Sequence, residues 1–407
     1  MLKLPKEMHR QHYEVICSDY LAKLFHYLYS PAYSPVFDYR FNEAWNGYRR
    51  INRLFAHAVA KQHSDEVLLV QDTHLMLLAA QLPHVVRGGI KVPKLYFHHV
   101  PWCTPDYFAM LPEPVRKEML AALLQFDVVG LHSNRWVASF VDCCNRFLAG
   151  CSSDGNEVRW RGRRTRILPS PAPLDAEPVR TMRQSTRTDE WIARFRLTQA
   201  GRWTLVRVDR ADLWKNVLRG FLAFDALIER RPDLADQLLF LAILSPTRMW
   251  LPENRHYLHD CIDLADRINQ RWTGRGVRAP IALHLEPDSA VSDRCRAFAG
   301  LHIADAVLVN SIFDGLNLVA KEAVLIGERP PVIILSENTG AYDEMADAVL
   351  GINPFDVKQT ARAIERAYAL PPAERVRRAR RLRRMIEART TSTWIEEQLA
   401  SLPDVTK

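Results

Sequence analysis

The chain lacks the features that would mark a membrane protein, a zinc ribbon or a disulfide-stapled protein. Its 407 residues contain no apolar run near the ~20 residues that a membrane helix needs. Its seven cysteines include no CxxC pair, which disfavours a zinc ribbon and a disulfide framework. The first ten residues are too polar for a secretory signal. We therefore expect a cytoplasmic protein with no membrane partner.

The composition is ordinary for a globular chain long enough to form two domains, with 48% hydrophobic and 25% charged residues. The formal net charge is +8, and seven arginines lie between positions 375 and 384. In that stretch Val376, Ala379, Leu382 and Ile386 recur at helical spacing. No aromatic residues for base stacking are interleaved, so we predict a solvated surface helix and no nucleic-acid partner.

Short apolar runs alternate with amphipathic stretches, which is the pattern of a parallel sheet covered by helices on both faces. The predicted strands are 67–71, 95–98, 128–131, 204–208, 238–244, 306–310 and 332–335. Predicted helices include 214–230, 254–271 and 356–368. Four prolines from Pro169 to Pro178 and a polar stretch through Asp189, leading into one short helix, interrupt the pattern.

We predict an α/β protein of two Rossmann-like domains that face a cleft. Residues 1–198 would form the first domain and residues 199–385 the second, and residues 386–407 would return to the first as a helix. Ligands of such sheets bind beyond the carboxyl ends of the strands.

The segment from Asn310 to Glu322 follows a predicted strand and has features of a phosphate site. Gly315 lets backbone amides approach a ligand, and the helix expected after it presents unpaired N–H groups. Asp314 could accept hydrogen bonds from sugar hydroxyls, and Glu322, about two turns into the helix, from a ribose. The alternative is a plain helix cap in which Asp314 satisfies the first turn.

A second strand end carries two cations. Arg210 and Lys215 lie just beyond the strand at 204–208. Two cations there can neutralise a leaving diphosphate without a metal. Taken alone, they could equally be surface charges.

Two strand ends in the first half carry histidines. Asp72 and His74 follow one strand, and His98 and His99 lie at the end of the next. Asp72 and His74 could suggest a metal, but no third ligand stands at a suitable spacing, so we expect none. Either of the adjacent histidines could reach the cleft, or be a satisfied core histidine.

Together these strings resemble the trehalose-6-phosphate synthase family, which is glycosyltransferase family 20, a group of retaining enzymes of the GT-B fold. The resemblance runs from about Tyr13 to the C-terminus. It rests on AWNGYRRIN at 44–52, QDTHL at 71–75, HVPW at 99–102, DRADLWK at 209–215, SPTR at 245–248, RIN at 267–269 and DGLNLVAKE at 314–322.

The resemblance implies a donor site for a nucleotide-diphosphate sugar. Arg210 and Lys215 would bind the diphosphate, Asp314 the sugar hydroxyls and Glu322 the ribose. The sugar and phosphate would be held by the backbone amides of Gly315, Leu316, Asn317, Leu318 and Val319.

It also implies an acceptor side, with Asp72 on the acceptor, Arg248 on the acceptor phosphate and His99 near the anomeric centre. The predicted catalytic set is then His99, Asp72, Arg210 and Lys215. Such enzymes need no side-chain nucleophile, metal or cofactor, and act by positioning and electrostatic stabilisation.

Several positions depart from the family pattern. The family opens with a strand and a glycine-rich loop over the donor, and we expect both to be missing here. The tyrosine and tryptophan that help to bind glucose-6-phosphate fall at Glu14 and Lys23. Thr73 replaces the tyrosine of Asp-Tyr-His, Asn216 the glycine of Lys-Gly, and Phe313 the arginine before Asp-Gly.

The Lys-Asn pair at 215–216, the Asn-Ser at 310–311 and the segments 327–329 and 332–337 are also similar to validoxylamine 7′-phosphate synthase. That enzyme is a pseudo-glycosyltransferase of the same family. It joins a nucleotide-activated cyclitol to an aminocyclitol phosphate through nitrogen.

Three hypotheses stay open. The chain could transfer a sugar from a UDP, GDP or ADP donor to a phosphorylated acceptor, or it could couple cyclitols. Alternatively, it could be a catalytically inactive homologue that binds a ligand or a partner. The missing N-terminal segment favours inactivity, whereas the retained Arg210, Lys215, Asp314 and Glu322 oppose it. A homo-oligomer is possible on the sequence.

Overall fold

The structure is a computed structural model that describes residues 4–61, 66–85, 92–286 and 293–403. The chain forms two compact units. The first unit comprises Met1–Ala172 and Ser392–Lys407, and the second comprises Pro173–Thr391. In the described ranges, every helix is too short or too polar to cross a membrane.

The first unit is built on one six-stranded sheet. Its strands are β1 (Leu68–Gln71), β2 (Lys94–His98), β3 (Val128–Leu131), β4 (Ser152–Asp154), β5 (Glu157–Trp160) and β6 (Arg163–Pro169). They lie in the order β1-β2-β3-β6-β5-β4, with β1, β2, β3 and β6 parallel and the β4–β5–β6 edge antiparallel. All four residues of β3 are buried, as expected for a strand covered on both faces.

Helices surround this sheet. They are α1 (Lys6–His9), a π-helix (Arg10–Leu21), α2 (Ala22–Phe25), α3 (Tyr39–Lys61), a 3₁₀ turn (Thr73–Leu75), α4 (Leu78–Val85), α5 (Pro105–Phe108), α6 (Glu113–Leu123) and α7 (Asn134–Phe147). The long helix α3 buries Phe41, Ala44, Trp45, Tyr48 and Ile51, which share one face at helical spacing.

The second unit is a fully parallel sheet. Its strands are β7 (Trp203–Arg210), β8 (Leu238–Ser245), β9 (Ile281–Leu285), β10 (Ala306–Val309), β11 (Val332–Ser336) and β12 (Leu350–Ile352). Their order is β12-β11-β10-β7-β8-β9. Numbered from β7, this is the 3-2-1-4-5-6 order of nucleotide-binding sheets, and the order reverses between β7 and β10.

The helices of the second unit cover both faces of its sheet. They are α8 (Ala176–Arg183), α9 (Thr186–Gln199), α10 (Val217–Arg230), α11 (Pro252–Thr273), α12 (Arg294–Ile303), α13 (Val319–Ile326), α14 (Gly340–Met345), α15 (Val357–Ala369) and α16 (Pro372–Glu387). Short 3₁₀ turns are at Leu213–Lys215, Pro232–Leu234 and Ala346–Ala348.

Each of the seven strands predicted from the sequence is present, as are the helices predicted at 214–230, 254–271 and 356–368. The arginine-rich stretch is the surface helix α16, which buries Ala379, Leu382 and Ile386. The polar β4–β5–β6 edge and the strands β9 and β12 were not predicted.

The stretch from Pro169 to Asp189 is more regular than the sequence predicts. It holds α8 and the start of α9, because Pro178 falls in the first turn of α8, where a missing N–H breaks no hydrogen bond. Helix α9 buries Ile192 and Phe195 and packs against α12 of the second unit. The boundary between the units therefore lies at Ala172 rather than at residue 198.

The chain returns to the first unit through the last helix, α17 (Thr391–Ala400). Trp394 packs its ring 5.1 Å from that of Phe97, and its indole N–H donates to the Ser170 carbonyl at 3.2 Å. Residues 386–391 stay with the second unit. Residues 404–407 of the segment predicted to return lie outside the described residues.

Candidate functional site

Strands β7 and β10 are neighbours at the point where the strand order of the second unit reverses, and the segments that follow them are tied together. The Ile312 N–H donates to the Trp214 carbonyl at 2.8 Å. The side-chain amides of Asn216 and Asn310 each donate to the other's backbone carbonyl, at 2.9 and 3.0 Å. Side chains from both strand ends are thus held at the position where parallel sheets bind ligands.

An ion pair joins the two predicted segments. Lys215 Nζ lies 2.7 Å from Asp314 Oδ2, and these side chains are only 12% and 14% exposed. The same oxygen accepts from Ser311 Oγ and Asn317 Nδ2, each at 3.1 Å. The residue before α13 makes no side-chain capping bond. The interpretation of Asp314 as a plain helix cap is therefore wrong.

The charge state of Lys215 follows from its neighbours. Burial lowers the pKa of Lys215, but the carboxylates of Asp314 and Asp209 outweigh this effect, so that its pKa is raised. Lys215 Nζ lies 3.8 Å from Asp209 Oδ1. Lys215 is consequently a fixed cation at neutral pH.

Arg210 and Arg248 share the carboxylate of Asp212, which is fully buried. Arg210 Nη2 lies 3.0 Å from Asp212 Oδ2, and Arg248 donates to Asp212 Oδ1. The Arg248 guanidinium also lies 4.9 Å from the centre of the Trp214 ring. The structure thus brings Arg248, predicted to meet the acceptor phosphate, beside Arg210, predicted to bind the donor diphosphate.

The loop from Asp314 to Leu318 is pressed against the start of α14. The Gly340 N–H donates to the Asp314 carbonyl at 3.1 Å, and the Ala341 N–H to the Leu316 carbonyl at 2.9 Å. A Cβ at Gly340 would lie 2.0 Å from the Gly315 carbonyl oxygen, so only glycine permits this approach. Asn317 adopts a left-handed φ of 75°.

Helix α13 begins at Val319, later than predicted, because the left-handed Asn317 delays it. Glu322 consequently lies in the first turn, not about two turns into the helix. Burial raises the pKa of the Glu322 carboxyl, and Arg294, at 2.9 Å, opposes that shift. Arg294 was not singled out from the sequence.

In the first unit, Asp72 and His99 follow the neighbouring strands β1 and β2. Asp72 has a left-handed φ of 62°, and its N–H donates to the Phe97 carbonyl at 2.7 Å. Among the described residues, its buried Oδ1 has no hydrogen-bond partner. His99 Nε2 lies 2.7 Å from Gln71 Oε1. Burial lowers the pKa of His99, and Asp72 opposes this shift.

The adjacent His98 is the core histidine. It is fully buried, with Nδ1 2.9 Å from the Tyr96 hydroxyl, and burial lowers its pKa to about 4. His99 is therefore the histidine of this pair that remains partly exposed at the strand end.

Helix α3 holds the turn that follows Asp72 in place. The Tyr48 hydroxyl donates to the Thr73 carbonyl at 2.5 Å, and the Asn52 side chain accepts from the Leu77 N–H at 3.0 Å. The ring of His74 stacks on that of Tyr13, 5.7 Å away. Within the described ranges, no group of three or more histidine, cysteine or carboxylate side chains could hold a metal.

The acceptor positions Glu14 and Lys23 lie in the N-terminal helices of the first unit. Glu14 is in the π-helix, and Lys23 in α2 pairs with Asp19. Both depart from the tyrosine and tryptophan of the family pattern.

Backbone strain singles out the same segments. In the described part of the chain, seven non-glycine residues have a left-handed φ. Four of them are predicted site residues or their neighbours: Asp72, Asn216, Arg248 and Asn317. Such residues cluster at functional sites, where surrounding contacts hold them in place.

Sequence reasoning did not identify the buried carboxylates of Asp209 and Asp212 as partners of the cations. The alternation of acidic and basic residues in DRAD, at 209–212, was the available signal.

Comparison with known proteins gives concordant matches. The sequence model for "Glycosyltransferase family 20" matches residues 1–404. "Alpha,alpha-trehalose-phosphate synthase [UDP-forming] 1" of Arabidopsis thaliana is 29% identical over 98% of this chain, which spans 42% of that protein. "Validamine 7-phosphate valienyltransferase" of Streptomyces hygroscopicus subsp. jinggangensis is 30% identical over 90% of this chain and 71% of its own length.

Solved structures agree with the fold. The UDP-forming alpha,alpha-trehalose-phosphate synthase of Burkholderia vietnamiensis has a TM-score of 0.88 and 26% identity, covering 98% of this chain and 85% of its own. The Burkholderia xenovorans enzyme in complex with glucose-6-phosphate has a TM-score of 0.87 and 25% identity, covering 97% and 85%.

Proposed function

This chain belongs to glycosyltransferase family 20, and from that premise we propose that it is a retaining transferase. It moves a glycosyl or cyclitol unit from a nucleoside-diphosphate donor to a phosphorylated acceptor. The observation that carries this proposal is the Lys215–Asp314 pair at the point where the strand order of the second unit reverses. The first turn of α13, beside that pair, offers N–H groups to a phosphate.

On binding, the donor would separate the Lys215–Asp314 ion pair and contact both side chains. Its diphosphate would take the Lys215 ammonium and the half-exposed Arg210 guanidinium, together with amides of residues 315–319. The Asp314 carboxylate, released from Lys215, would then accept hydrogen bonds from hydroxyls of the transferred ring. Glu322 would accept from the ribose. Each charge would keep a partner throughout, which limits the desolvation cost.

The reaction needs no side-chain nucleophile. The bond from the ring carbon to the diphosphate oxygen breaks, and the positive charge develops on the ring while negative charge grows on the leaving group. Lys215 and Arg210 stabilise that leaving charge. The acceptor attacks from the face that the diphosphate leaves, and the departing phosphate takes its proton.

Asp72 would contact the acceptor, His99 would lie near the reacting carbon, and Arg248 would meet the acceptor phosphate. Because burial lowers the pKa of His99, its ring would be neutral at pH 7 and could share a hydrogen bond without repelling the developing cation. The glucose-6-phosphate bound by the Burkholderia xenovorans enzyme supports a phosphorylated sugar as acceptor.

Cyclitol coupling is the second candidate. It is favoured by the 30% identity to validamine 7-phosphate valienyltransferase and by Asn216, which takes the left-handed conformation that glycine would otherwise supply. An activated allylic cyclitol forms a delocalised cation much as a sugar donor does. The same donor site could serve both reactions.

The test is a matrix of donors and acceptors. UDP-glucose, GDP-glucose and ADP-glucose are each incubated with glucose-6-phosphate, and GDP-valienol with validamine 7-phosphate, and products are identified by mass spectrometry. We expect one pair to release nucleoside diphosphate and form product. Absence of product with every pair would contradict the transferase proposal.

Thermal shifts with UDP, GDP and ADP separate an inactive homologue from a protein without a donor site. A nucleotide at 100-fold excess over its Kd should stabilise the protein by about 2.7 kcal/mol. A shift without turnover would favour the inactive homologue. Arg210→Ala should abolish the shift.

A further inference from the structure

Arg207 is a fully buried arginine in the middle of strand β7. Its neighbours Leu205 and Val206 belong to the apolar interior of the unit. A guanidinium stays charged in proteins, so its burial is costly unless charged or polar partners hold it. Neither the donor contacts nor the core packing described above accounts for a cation at this position.

One nitrogen of Arg207 holds both ends of the segment 209–215. Nη2 donates to Asp209 Oδ2 at 2.7 Å and to the Lys215 carbonyl at 2.8 Å. Among the described residues, Nε and Nη1 have no hydrogen-bond partner. Arg207 therefore braces, from inside the unit, the segment that carries Arg210, Asp212 and Lys215.

Helix α10 leaves room for this guanidinium at Gly220. A Cβ at Gly220 would lie 2.6 Å from Arg207 Nη1. Glycine inside a helix costs about 1 kcal/mol relative to alanine. The unfavourable residue in α10 is explained by the arginine that it accommodates.

The charges around Lys215 show what Arg207 changes. Lys215 Nζ faces two carboxylates, Asp314 at 2.7 Å and Asp209 at 3.8 Å. Arg207 pairs with the other oxygen of Asp209, so Lys215 is not the sole cation for both acids. The linked charges are the cations Arg207, Arg210, Lys215 and Arg248 and the carboxylates Asp209, Asp212 and Asp314. Four cations and three carboxylates give this cluster a net positive charge. Without Arg207 the two signs would balance and the net charge would be zero.

We propose that Arg207 is a positioning residue that keeps the Lys215 ammonium available to the donor diphosphate by holding the Asp209 carboxylate and the Lys215 carbonyl. This inference rests on the proposed function, because it assigns Arg207 to the same donor site. Arg207 itself touches no substrate.

Arg207→Met tests the role of the charge, since methionine is unbranched and fits a buried site. The Kd of the full-length protein for UDP, GDP, UDP-glucose and GDP-glucose is measured by calorimetry from pH 5.5 to 8. We expect affinity for the nucleotide that the wild type binds best to fall about tenfold at pH 8, the scale of one charged hydrogen bond.

The pH profile separates positioning from structural support. Burial already raises the pKa of Asp209, and loss of Arg207 raises it further. Protonation of Asp209 as the pH falls would release Lys215 in the variant, so its affinity for the sugar nucleotide should rise toward low pH. The diphosphate of a sugar nucleotide keeps its charge over this range. A purely structural defect would not recover at low pH.

Two further variants keep the test independent of folding. Arg207→Met with Asp209→Asn removes the competing carboxylate and should restore affinity at pH 8, with no pH dependence. Gly220→Ala should weaken binding by pushing on the guanidinium, and should have no additional effect in the Arg207→Met background. Calorimetric melting confirms that each variant is folded.

The outcomes distinguish the two proposals. If the wild type binds none of the nucleotides, the proposed function and this inference both fail. If the wild type binds and Arg207→Met binds equally well at every pH, the inference alone is overturned. Equal effects of Gly220→Ala with and without Arg207 would also overturn it.

Discussion

Lys215 is the most buried of the cations predicted to meet the donor, and its replacement tests the proposed chemistry directly. Lys215→Met should lower kcat/KM for the donor by about 100- to 1000-fold, because a preorganised charge on the leaving group is lost. Nucleotide release, followed in a coupled assay, measures the effect. Lys117→Met, at an exposed ion pair with Glu113, is the control and should leave activity unchanged. Activity of Lys215→Met within twofold of wild type would remove Lys215 from the mechanism.

Two buried histidines of the first unit predict how stability depends on pH. Burial lowers the pKa values of His12 and His98 to about 4, whereas both are ordinary in the unfolded chain. Below pH ~6.5 the unfolded chain binds protons at these histidines that the folded protein does not. The free energy of unfolding is therefore highest above pH ~6.5 and decreases toward pH 4, by up to about 1.4 kcal/mol per pH unit for each histidine.

Urea unfolding at pH 7 and pH 5 measures this fall. His98→Asn should flatten the fall relative to wild type, whereas His57→Gln, at an exposed position on α3, should leave it unchanged. An equal decrease in the free energy of unfolding from pH 7 to pH 5 in wild type and His98→Asn would contradict the lowered pKa of His98.

At the level of single residues, the sequence predicted both members of the Lys215–Asp314 pair but not their contact. They are far apart in the chain, and only the neighbouring positions of β7 and β10 bring them together. Asp209 and Asp212 were missed because a carboxylate beside a cation has the same sequence pattern in a solvated loop and in a buried cluster. Arg207 was missed because its partner Asp209 lies two residues along the same strand, and this pair has the same sequence pattern whether the strand face is buried or exposed.

Among the elements, the junction of the 314–318 loop and α14 is the most sensitive to added volume. Gly340→Ala places a Cβ 2.0 Å from the Gly315 oxygen and 3.0 Å from its carbonyl carbon, both rigid backbone atoms. The loop must move, and we expect nucleotide affinity to fall at least about tenfold, the equivalent of 1.4 kcal/mol. Ala341→Gly, in the same helix, is the control. It lowers helix propensity without pushing on the loop, and should change the melting temperature more than the Kd.

The strands that the sequence predicted differ in their burial pattern from those that it missed. Six of the seven predicted strands are buried on both faces, or nearly so, which is typical of strands inside a parallel sheet. The seventh, β1, is an apolar run in which Leu69 is exposed. Strands β5 and β6 alternate buried residues with exposed arginines, which resembles a polar loop. The three-residue β12 is too short to leave a pattern. In α8, the proline that suggested irregular chain lies where a helix tolerates it.

On the scale of the whole molecule, Trp394 anchors the C-terminal helix in the core of the first unit, beside Leu95, Phe97 and Val128. Trp394→Ala should destabilise that unit by about 3–5 kcal/mol, because it removes a buried aromatic ring. Differential scanning calorimetry should show the transition of the first unit lowered and that of the second nearly unchanged. Leu399→Ala, at a 40% exposed position of α17, is the matched control. A shift of both transitions by the same amount would show that the units unfold together.

The division into two units was predictable in kind but not in position. Alternating strands and helices predicted two α/β halves, and the returning C-terminal segment was expected at residue 386. The crossing lies at Thr391–Ser392, where Asp175 accepts hydrogen bonds from the Thr391 N–H at 2.9 Å and hydroxyl at 2.7 Å. This contact joins positions far apart in sequence, so no local pattern could have located it.

The return of α17 to the first unit has a consequence for synthesis on the ribosome. The apolar face formed by Leu95, Phe97 and Val128 cannot be covered until Trp394 has been translated. At ~5–20 residues per second, residues 173–391 take on the order of ten to forty seconds to emerge. At the end of that interval the second unit is complete, whereas the first unit, although synthesised earlier, still lacks Trp394. The second unit can therefore finish folding first.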